Sequence, residues 1–249
     1  MALPKINNPI FELILPSTGA TIKYRPFLVK EQKILLLAME SQDQKSVLTA
    51  IKQIVNNCAI DEIDTSKIPT FDLEYFFMRL RAKSIGETID LNLRHPTGYN
   101  SDVQECDGIT KMSLNLLEVE VVKTENHTDK IVLDEETGIG IKLKYPNVNM
   151  AIDAGLNTED KHQMDMATDA IINSIEYIFD KENVFKKEDY TKKELLEFIE
   201  NLNQEQYLKL TKFFELMPKL KHKVEWKCQK CGCRDEITME GLQSFFGFW

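Results

Sequence analysis

Three cysteines lie close together near the end of the sequence, in the pattern Cys228-x-x-Cys231-x-Cys233. Thiolates spaced this closely can wrap a zinc ion, because tight turns between them aim the sulfur atoms at a common point. A site with four protein ligands is structural, since a catalytic zinc keeps an open position. The pattern therefore predicts a structural zinc as the one candidate cofactor. The alternative is a zinc-ribbon-like turn that has lost its metal and only packs its hairpin.

The fourth ligand of this site has three candidates in the sequence. His222 lies shortly before Cys228 on the same predicted hairpin, and His95 and Cys106 lie in the loop between two predicted strands. The working ligand set is Cys106, Cys228, Cys231 and Cys233, and His95 and His222 stay open as alternatives to Cys106. The remaining cysteine, Cys58, ends a predicted helix and is interpreted as a small core residue.

Motifs of catalysis and of phosphate binding are not found in the sequence. It has no Walker loop, Rossmann fingerprint, nucleophile elbow or zinc-protease helix. The acidic runs at residues 134–136 and 180–182 lack the spaced oxygen ligands and the bend glycine that calcium requires, so they are interpreted as solvated loops. We therefore expect a binding protein and not an enzyme.

The charge and hydropathy of the chain exclude two further classes. The 249 residues carry a net charge of -9, whereas general nucleic-acid binding depends on dense Lys and Arg. The longest apolar run, residues 34–39, is far shorter than the roughly 20 residues of a membrane-spanning helix. The first 16 residues contain no secretory apolar segment. We expect no membrane and no nucleic acid among the partners, and a protein that stays where it is made.

The elements that would position these cysteines begin with a hairpin and helices. Alternating apolar residues predict strands at 10–15 and 21–27, with a turn between them. Helical spacing then predicts helices at 29–39, 47–55 and 71–83. The third helix carries Arg79, Arg81 and Lys83 toward its end, where positive charge suits the helix terminus or grips an acidic partner.

The rest of the chain alternates between strands and helices. The pattern predicts strands at 88–93, 112–122, 130–133 and 140–145. A helical stripe follows, formed by Met164, Ala167, Ile171, Ile175 and Ile178. Helices are also predicted from the capping box at Thr191 to about residue 201 and at 204–217, and short strands at 221–227 and 235–239.

Together, the predicted strands and helices indicate an α+β protein. A small antiparallel sheet in the middle is flanked by N-terminal and C-terminal helical segments, with a cysteine-containing hairpin near the C-terminus. We divide it into an N-terminal hairpin plus helices (1–86), an antiparallel sheet (87–157), a helical segment (158–220), and a cysteine hairpin with an aromatic tail (221–249). These segments are expected to form one or two compact units.

The aromatic residues of the tail have two interpretations. Phe245, Phe246, Phe248 and Trp249 lie among the last five residues. They could complete the protein's own core, or they could insert into a pocket on a partner, because aromatic residues dominate the anchors of protein interfaces. We therefore treat these four as candidate partner-binding residues.

Several stretches of the sequence resemble one protein family, and they occur in the same order along the chain as in that family. They are NPIFEL (8–13), YRPFLVKE (24–31), RAKSIGE (81–87), KYP (144–146), PKLKH (218–222) and MEGLQSFF (239–246). Together they are similar to the baseplate hub subunits and hub assembly proteins of contractile-tailed phages of the T-even type. The resemblance implies a protein without catalytic residues that binds other hub or tape-measure proteins during tail assembly. It also implies a location in the host cytoplasm during assembly, or in the virion baseplate.

A second function comes from the cysteines alone. A small zinc-stabilised regulatory or nucleic-acid-associated adaptor would also need such a cluster, and residues 219–234 are locally basic. The acidic balance of the whole chain counts against that role. Neither function predicts an oligomeric state.

Overall fold

The computed structural model describes residues 6–41, 43–94, 106–125, 127–155 and 162–246. Within these residues the chain forms helices and small antiparallel sheets, so the predicted α+β class is confirmed. It divides into two compact units: Met1–Thr65, Phe71–Val122 and Lys219–Trp249 form the first, and Ser66–Thr70 with Lys123–Pro218 form the second. None of the described helices has the length and apolar content needed to cross a bilayer.

The first unit contains most of the strands. Its elements are β1 (Phe11–Ile14), β2 (Thr21–Tyr24), α1 (Val29–Glu40), α2 (Gln44–Cys58), α3 (Thr70–Ser84, from Phe71 onward), β3 (Thr88–Arg94), β4 (Ile109–Asn115), β5 (Glu120–Val122), β10 (Lys219–Lys227), β11 (Arg234–Glu240) and α8 (Gly241–Phe246). The pairs β1–β2 and β3–β4 are separate hairpins, and β10 lies between β11 and β5 in a three-stranded sheet. The predicted helices and the hairpins β1–β2 and β10–β11 are present, with ends shifted by a few residues. The prediction of one strand over residues 112–122 is wrong, because β4 ends at Asn115, a 3-10 turn follows at Leu116–Glu118, and β5 pairs with β10 while β4 pairs with β3.

Helix α3 is the centre of the first unit's core. Its side chains Leu73, Phe76, Phe77, Met78 and Leu80 are at most 1% exposed. The apolar side chains of α3 therefore lie on several of its faces, which is typical of a helix buried on several sides. Beyond Ser84 the chain turns through Gly86 into β3, so α3 leads directly to the first cysteine-bearing hairpin.

The second unit combines a sheet with helices. Its elements are β6 (Lys130–Val132), β7 (Gly140–Leu143), α4 (Val148–Gly155), α5 (Gln163–Ser174), β8 (Ile175–Phe179), β9 (Val184–Lys186), α6 (Lys192–Glu200) and α7 (Gln204–Leu216). The four strands pair in the order β6-β7-β8-β9. Apolar residues of β6, β7 and β8 pack against α5, α6 and α7 in one core. The predicted capping box is present: the Glu194 backbone N–H donates to the Thr191 hydroxyl, and the Thr191 N–H donates to the Glu194 carboxylate.

The prediction of a helix that continues through Ile178 is wrong. Helix α5 ends at Ser174, and β8 follows at once with the sequence Ile-Glu-Tyr-Ile-Phe. The β-branched and aromatic residues of this run favour a strand. Ile175 and Ile178 are three residues apart, a spacing that fits a helix, and both are buried in the strand as well. Pairing of β8 with β7 and β9 decided that this run is a strand and not a helix, which local periodicity could not decide.

His127 in the second unit predicts a loss of stability in acid. Its ring lies 5.1 Å from Phe213 and stacks 5.6 Å from Tyr145, and its buried Nε2 has no hydrogen-bond partner in the described part of the chain. Burial lowers the pKa of His127, and Asp129 opposes the effect only in part. A lowered pKa means that the folded state binds protons less readily than the unfolded state. Neutral His127 therefore contributes fully to the stability of the fold above the pKa that it has in the unfolded state. This contribution is lost as the pH falls through its lower pKa in the folded state.

We expect the second unit to be less stable at pH 5.5 than at pH 7.5, and His127→Phe to reduce this difference. Hydrogen exchange of the α7 amides at the two pH values measures it. His162→Gln, at an exposed position, is the control and should keep the wild-type difference. An unchanged difference in His127→Phe would show that other groups carry the acid sensitivity.

Candidate metal centre

Two hairpins of the first unit bring the cysteines together. Cys106 lies shortly before β4, while Cys228, Cys231 and Cys233 form the turn between β10 and β11. Seven residue pairs run from Lys221–Glu240 to Lys227–Arg234, so the register of β10 and β11 is continuous up to the turn. The Gln229 backbone N–H donates to the Thr110 hydroxyl at 3.1 Å. This bond ties the turn of one hairpin to β4 of the other.

The turn that carries the three cysteines is tightly closed by its own backbone. The Cys228 N–H donates to the Cys233 carbonyl at 2.8 Å, and the Gly232 N–H donates to the Cys228 carbonyl at 2.9 Å. Gly232 has φ +75°, a left-handed conformation that side chains disfavour. The glycine between the last two cysteines is therefore the residue that lets the chain reverse and return the sulfurs to one side.

Three of the sulfur atoms lie close together. Cys106 Sγ and Cys228 Sγ lie 3.6 Å apart, and the sulfurs of Cys106, Cys228 and Cys231 all lie within 4.8 Å of one another. The backbone of Gly108 passes directly beside them, since a Cβ there would stand 3.1 Å from Cys228 Sγ and 3.2 Å from Cys106 Sγ. Gly108 was not among the predicted site residues, although its place two residues after Cys106 is a sequence signal for a tight turn.

The protonation of the thiols is uneven. Backbone N–H groups, Cys231 first and Lys230 next, donate to the Cys228 sulfur and lower the pKa of Cys228 to about 6. The Cys233 amide acts on Cys231 in the same direction, but burial and hydrogen bonds with the neighbouring thiols of Cys228, Cys106 and Cys233 raise the pKa of Cys231 to about 12. The backbone amides therefore favour negative charge on Cys228 over negative charge on Cys231.

The predicted ligands fall into three groups in the structure. The sulfurs of Cys106, Cys228 and Cys231 converge within 4.8 Å, whereas the Cys233 sulfur lies outside this group and forms a side-chain hydrogen bond with Cys231. His222 is six residues from Cys228 along β10, which at about 3.4 Å per residue is roughly 20 Å away, so the fold does not bring it to the cluster. His95 lies outside the described residues. Thiolates in this arrangement can hold a soft metal ion or oxidise to a disulfide.

The basic strand beside the cluster is paired with acidic side chains. Lys219 contacts Glu240 at 2.7 Å, and Lys223 contacts Glu236 at 2.7 Å. Lys230 forms an ion pair with Asp107, next to Cys106. Ion pairs within the two hairpins thus offset the charge of three basic residues among 219–234.

The C-terminal aromatics that the structure describes face the protein's own core. Phe245 is buried, and the Phe246 ring lies edge-on to Phe77 of α3 at 6.2 Å between centroids. The Arg81 guanidinium lies over the Phe246 ring. Phe248 and Trp249 lie outside the described residues. Packing within the protein itself therefore explains Phe245 and Phe246, two of the four candidate partner-binding residues, and no partner is needed to explain them.

Comparison with known proteins gives one match over nearly the whole chain. The family model described as T4 bacteriophage base plate protein matches residues 7–247. No curated protein and no solved structure matches the chain.

Proposed function

Because this chain belongs to the family of T4 bacteriophage base plate proteins, we propose that it is a hub subunit or a hub assembly chaperone of the phage tail baseplate. The family match over residues 7–247 is the observation that carries the proposal, and it supports a structural or assembly role at the baseplate. The finer assignment to the hub rests on the resemblance of the sequence. In this role the protein acts by binding other hub or tape-measure proteins, not by turnover of a substrate.

The described surface is compatible with a binding role. Helix α1 exposes Val29, Leu36 and Leu37, which are 69%, 50% and 67% accessible. Large apolar side chains on one helix are costly to leave in water and are common where partners dock. Together with Phe248 and Trp249, these residues are candidates for the contact surface.

Affinity purification from phage-infected cells tests the proposal. We expect the tagged protein to bring down hub or tape-measure proteins in near-stoichiometric amounts, as identified by mass spectrometry. Purified mature virions distinguish the two roles, because a hub subunit is retained in them and a chaperone is not. Recovery of only host proteins, or of no partner, would count against a baseplate role.

A pair of variants tests the aromatic tail. We expect Phe248→Ala combined with Trp249→Ala to lower partner recovery at least several-fold while the protein stays folded. Phe245→Ala is the contrast: it removes a buried ring and is expected to cost about 3 kcal/mol of unfolding free energy. Unchanged partner recovery in the double variant would remove these two residues from the contact surface and favour α1.

The cysteine cluster is the one observation that favours the second candidate, a zinc-stabilised adaptor on nucleic acid. Retention on immobilised DNA that weakens steeply with salt would support it. The ion pairs of Lys219, Lys223 and Lys230 lead us to expect no such retention.

A further inference from the structure

We propose that Cys106, Cys228, Cys231 and Cys233 bind one Zn²⁺ as four thiolates, and that the metal joins the β3–β4 hairpin to the β10–β11 hairpin. The proposal rests on the arrangement of the sulfur atoms and is independent of the baseplate role. The metal is structural, because four protein ligands leave no position open for a substrate.

The distances between the sulfurs fit a tetrahedral metal. A Zn–S bond of about 2.3 Å places any two sulfurs of a tetrahedral site about 3.8 Å apart. Cys106 Sγ and Cys228 Sγ are 3.6 Å apart, and Cys231 Sγ completes a triangle with no side above 4.8 Å. Movements below 1 Å would complete three corners of the tetrahedron. The 3.6 Å contact is much longer than a disulfide bond of about 2.05 Å, so these are separate thiols placed at metal-ligand spacing.

The backbone around the sulfurs is arranged as in a metal-binding turn. Amide N–H groups of Lys230 and Cys231 point at the Cys228 sulfur, where they stabilise negative charge on a ligand. Gly108 leaves room for the sulfurs of both hairpins, which any larger residue would crowd. Such amide contacts orient metal-bound thiolates, and a purely apolar packing of two hairpins would not need them.

Cys233 supplies the fourth ligand in this proposal. Its side chain forms a hydrogen bond with Cys231 and it follows Gly232 on the same closed turn, so its sulfur, which lies outside the 4.8 Å group of the other three, has to turn toward them when the metal binds. The β3–β4 hairpin offers only the thiol of Cys106. A cysteine three residues earlier would repeat the Cys228-x-x-Cys231 spacing, but that position is Val103. The site is therefore asymmetric, with one thiolate from the β3–β4 hairpin and three from the β10–β11 hairpin.

The choice of metal follows from the donors. Sulfur-only ligand sets select zinc, copper(I) or iron, and a tetrahedral site of four cysteines is a common structural zinc site. Binding requires all four cysteines as thiolates and releases the protons that they still carry to solvent, so it needs no oxidant. Cys106 and Cys228 are 122 residues apart in the chain. The metal would cross-link two segments that otherwise meet only in the folded protein.

Metal content and ligand identity test the proposal directly. We expect the full chain, purified under reducing conditions, to contain one zinc per molecule by elemental analysis. X-ray absorption at the zinc edge should show a shell of sulfur neighbours alone, a readout that needs no variant. A protein without zinc after purification, and without uptake of added Zn²⁺, would overturn the proposal, and so would iron or copper as the bound metal.

Single substitutions assign the ligands. Cys106→Ser, Cys231→Ser and Cys233→Ser should each weaken zinc binding beyond the roughly 10–100-fold typical of outer-shell changes, as measured by competition with a chelator. Cys58→Ala is the matched control, since this cysteine is buried away from the cluster and should leave one tightly held zinc. Circular dichroism verifies that each variant is folded. Wild-type affinity in Cys233→Ser, or an oxygen or nitrogen neighbour in the absorption spectrum, would overturn Cys233 as the fourth ligand.

Discussion

Replacing Phe76 with alanine is expected to lower the free energy of unfolding of the first unit by about 3–5 kcal/mol. Phe76 is fully buried, and the Tyr24 ring of β2 meets it edge-on at 5.4 Å between centroids. The substitution removes the transfer free energy of the ring and leaves a cavity that the packed neighbours cannot fill. Chemical denaturation followed by the fluorescence of Trp226, buried in β10 of the same unit, measures the loss.

Two further variants make the result specific. Phe76→Leu keeps most of the apolar volume and should cost less than Phe76→Ala. Leu37→Ala removes an apolar side chain of similar type from the exposed face of α1, and should change stability by no more than about 0.5 kcal/mol. Equal losses in Phe76→Ala and Leu37→Ala would contradict the placement of α3 at the centre of the core.

Replacing Arg79 with alanine is expected to cost roughly 2–5 kcal/mol in the same unit. The guanidinium of this α3 residue is only 11% exposed. It donates to the Leu117 carbonyl at 2.6 Å and to the Val119 carbonyl at 3.1 Å, and it forms an ion pair with Glu120 at 2.5 Å. Without Arg79 the buried Val119 carbonyl and the partly buried Leu117 carbonyl lose their donor, and an unpaired buried group costs about 1–3 kcal/mol.

The contribution of the carbonyls can be separated from that of the ion pair. Glu120 is 61% exposed, so Glu120→Gln should cost at most about 1 kcal/mol. Arg79→Lys keeps the charge but lacks the planar fork that reaches several carbonyls at once, and it should fall between the two. Trp226 fluorescence in denaturant measures all three. If Glu120→Gln were as harmful as Arg79→Ala, the ion pair and not the carbonyls would be the source of the stability.

Arg79 also shows a limit of interpretation from sequence. Its position near the end of a helix suggested a charge that offsets the helix dipole or grips an acidic partner. The helix end alone cannot reveal that the residues from Leu116 to Glu120 return to the same place and present their carbonyls. Arg81 does follow the local expectation, since it donates to the Gly86 carbonyl just past the end of α3.

Local sequence determined most elements of the protein. The alternation of apolar residues located the hairpins β1–β2, β3–β4, β6–β7 and β10–β11, although not β8–β9. Helical spacing located α1, α2 and α3, and the Thr191 capping box located the start of α6. These signals depend on residues a few positions apart, which is why they could be recognised without the fold. The same reasoning failed at Ile175, where helical spacing and strand composition coincide and only pairing with β7 and β9 decides.

Tertiary structure decided which parts of the chain meet. The sequence by itself singled out Cys228, Cys231 and Cys233 as a cluster, because their spacing is local. It left Cys106, His95 and His222 as alternatives for a fourth ligand, since a contact across 122 residues depends on how two hairpins pack. The fold placed Cys106 beside Cys228, carried His222 away along an extended strand, and assembled the first unit from three separate segments. Packing of distant surfaces, which no local pattern encodes, made those choices.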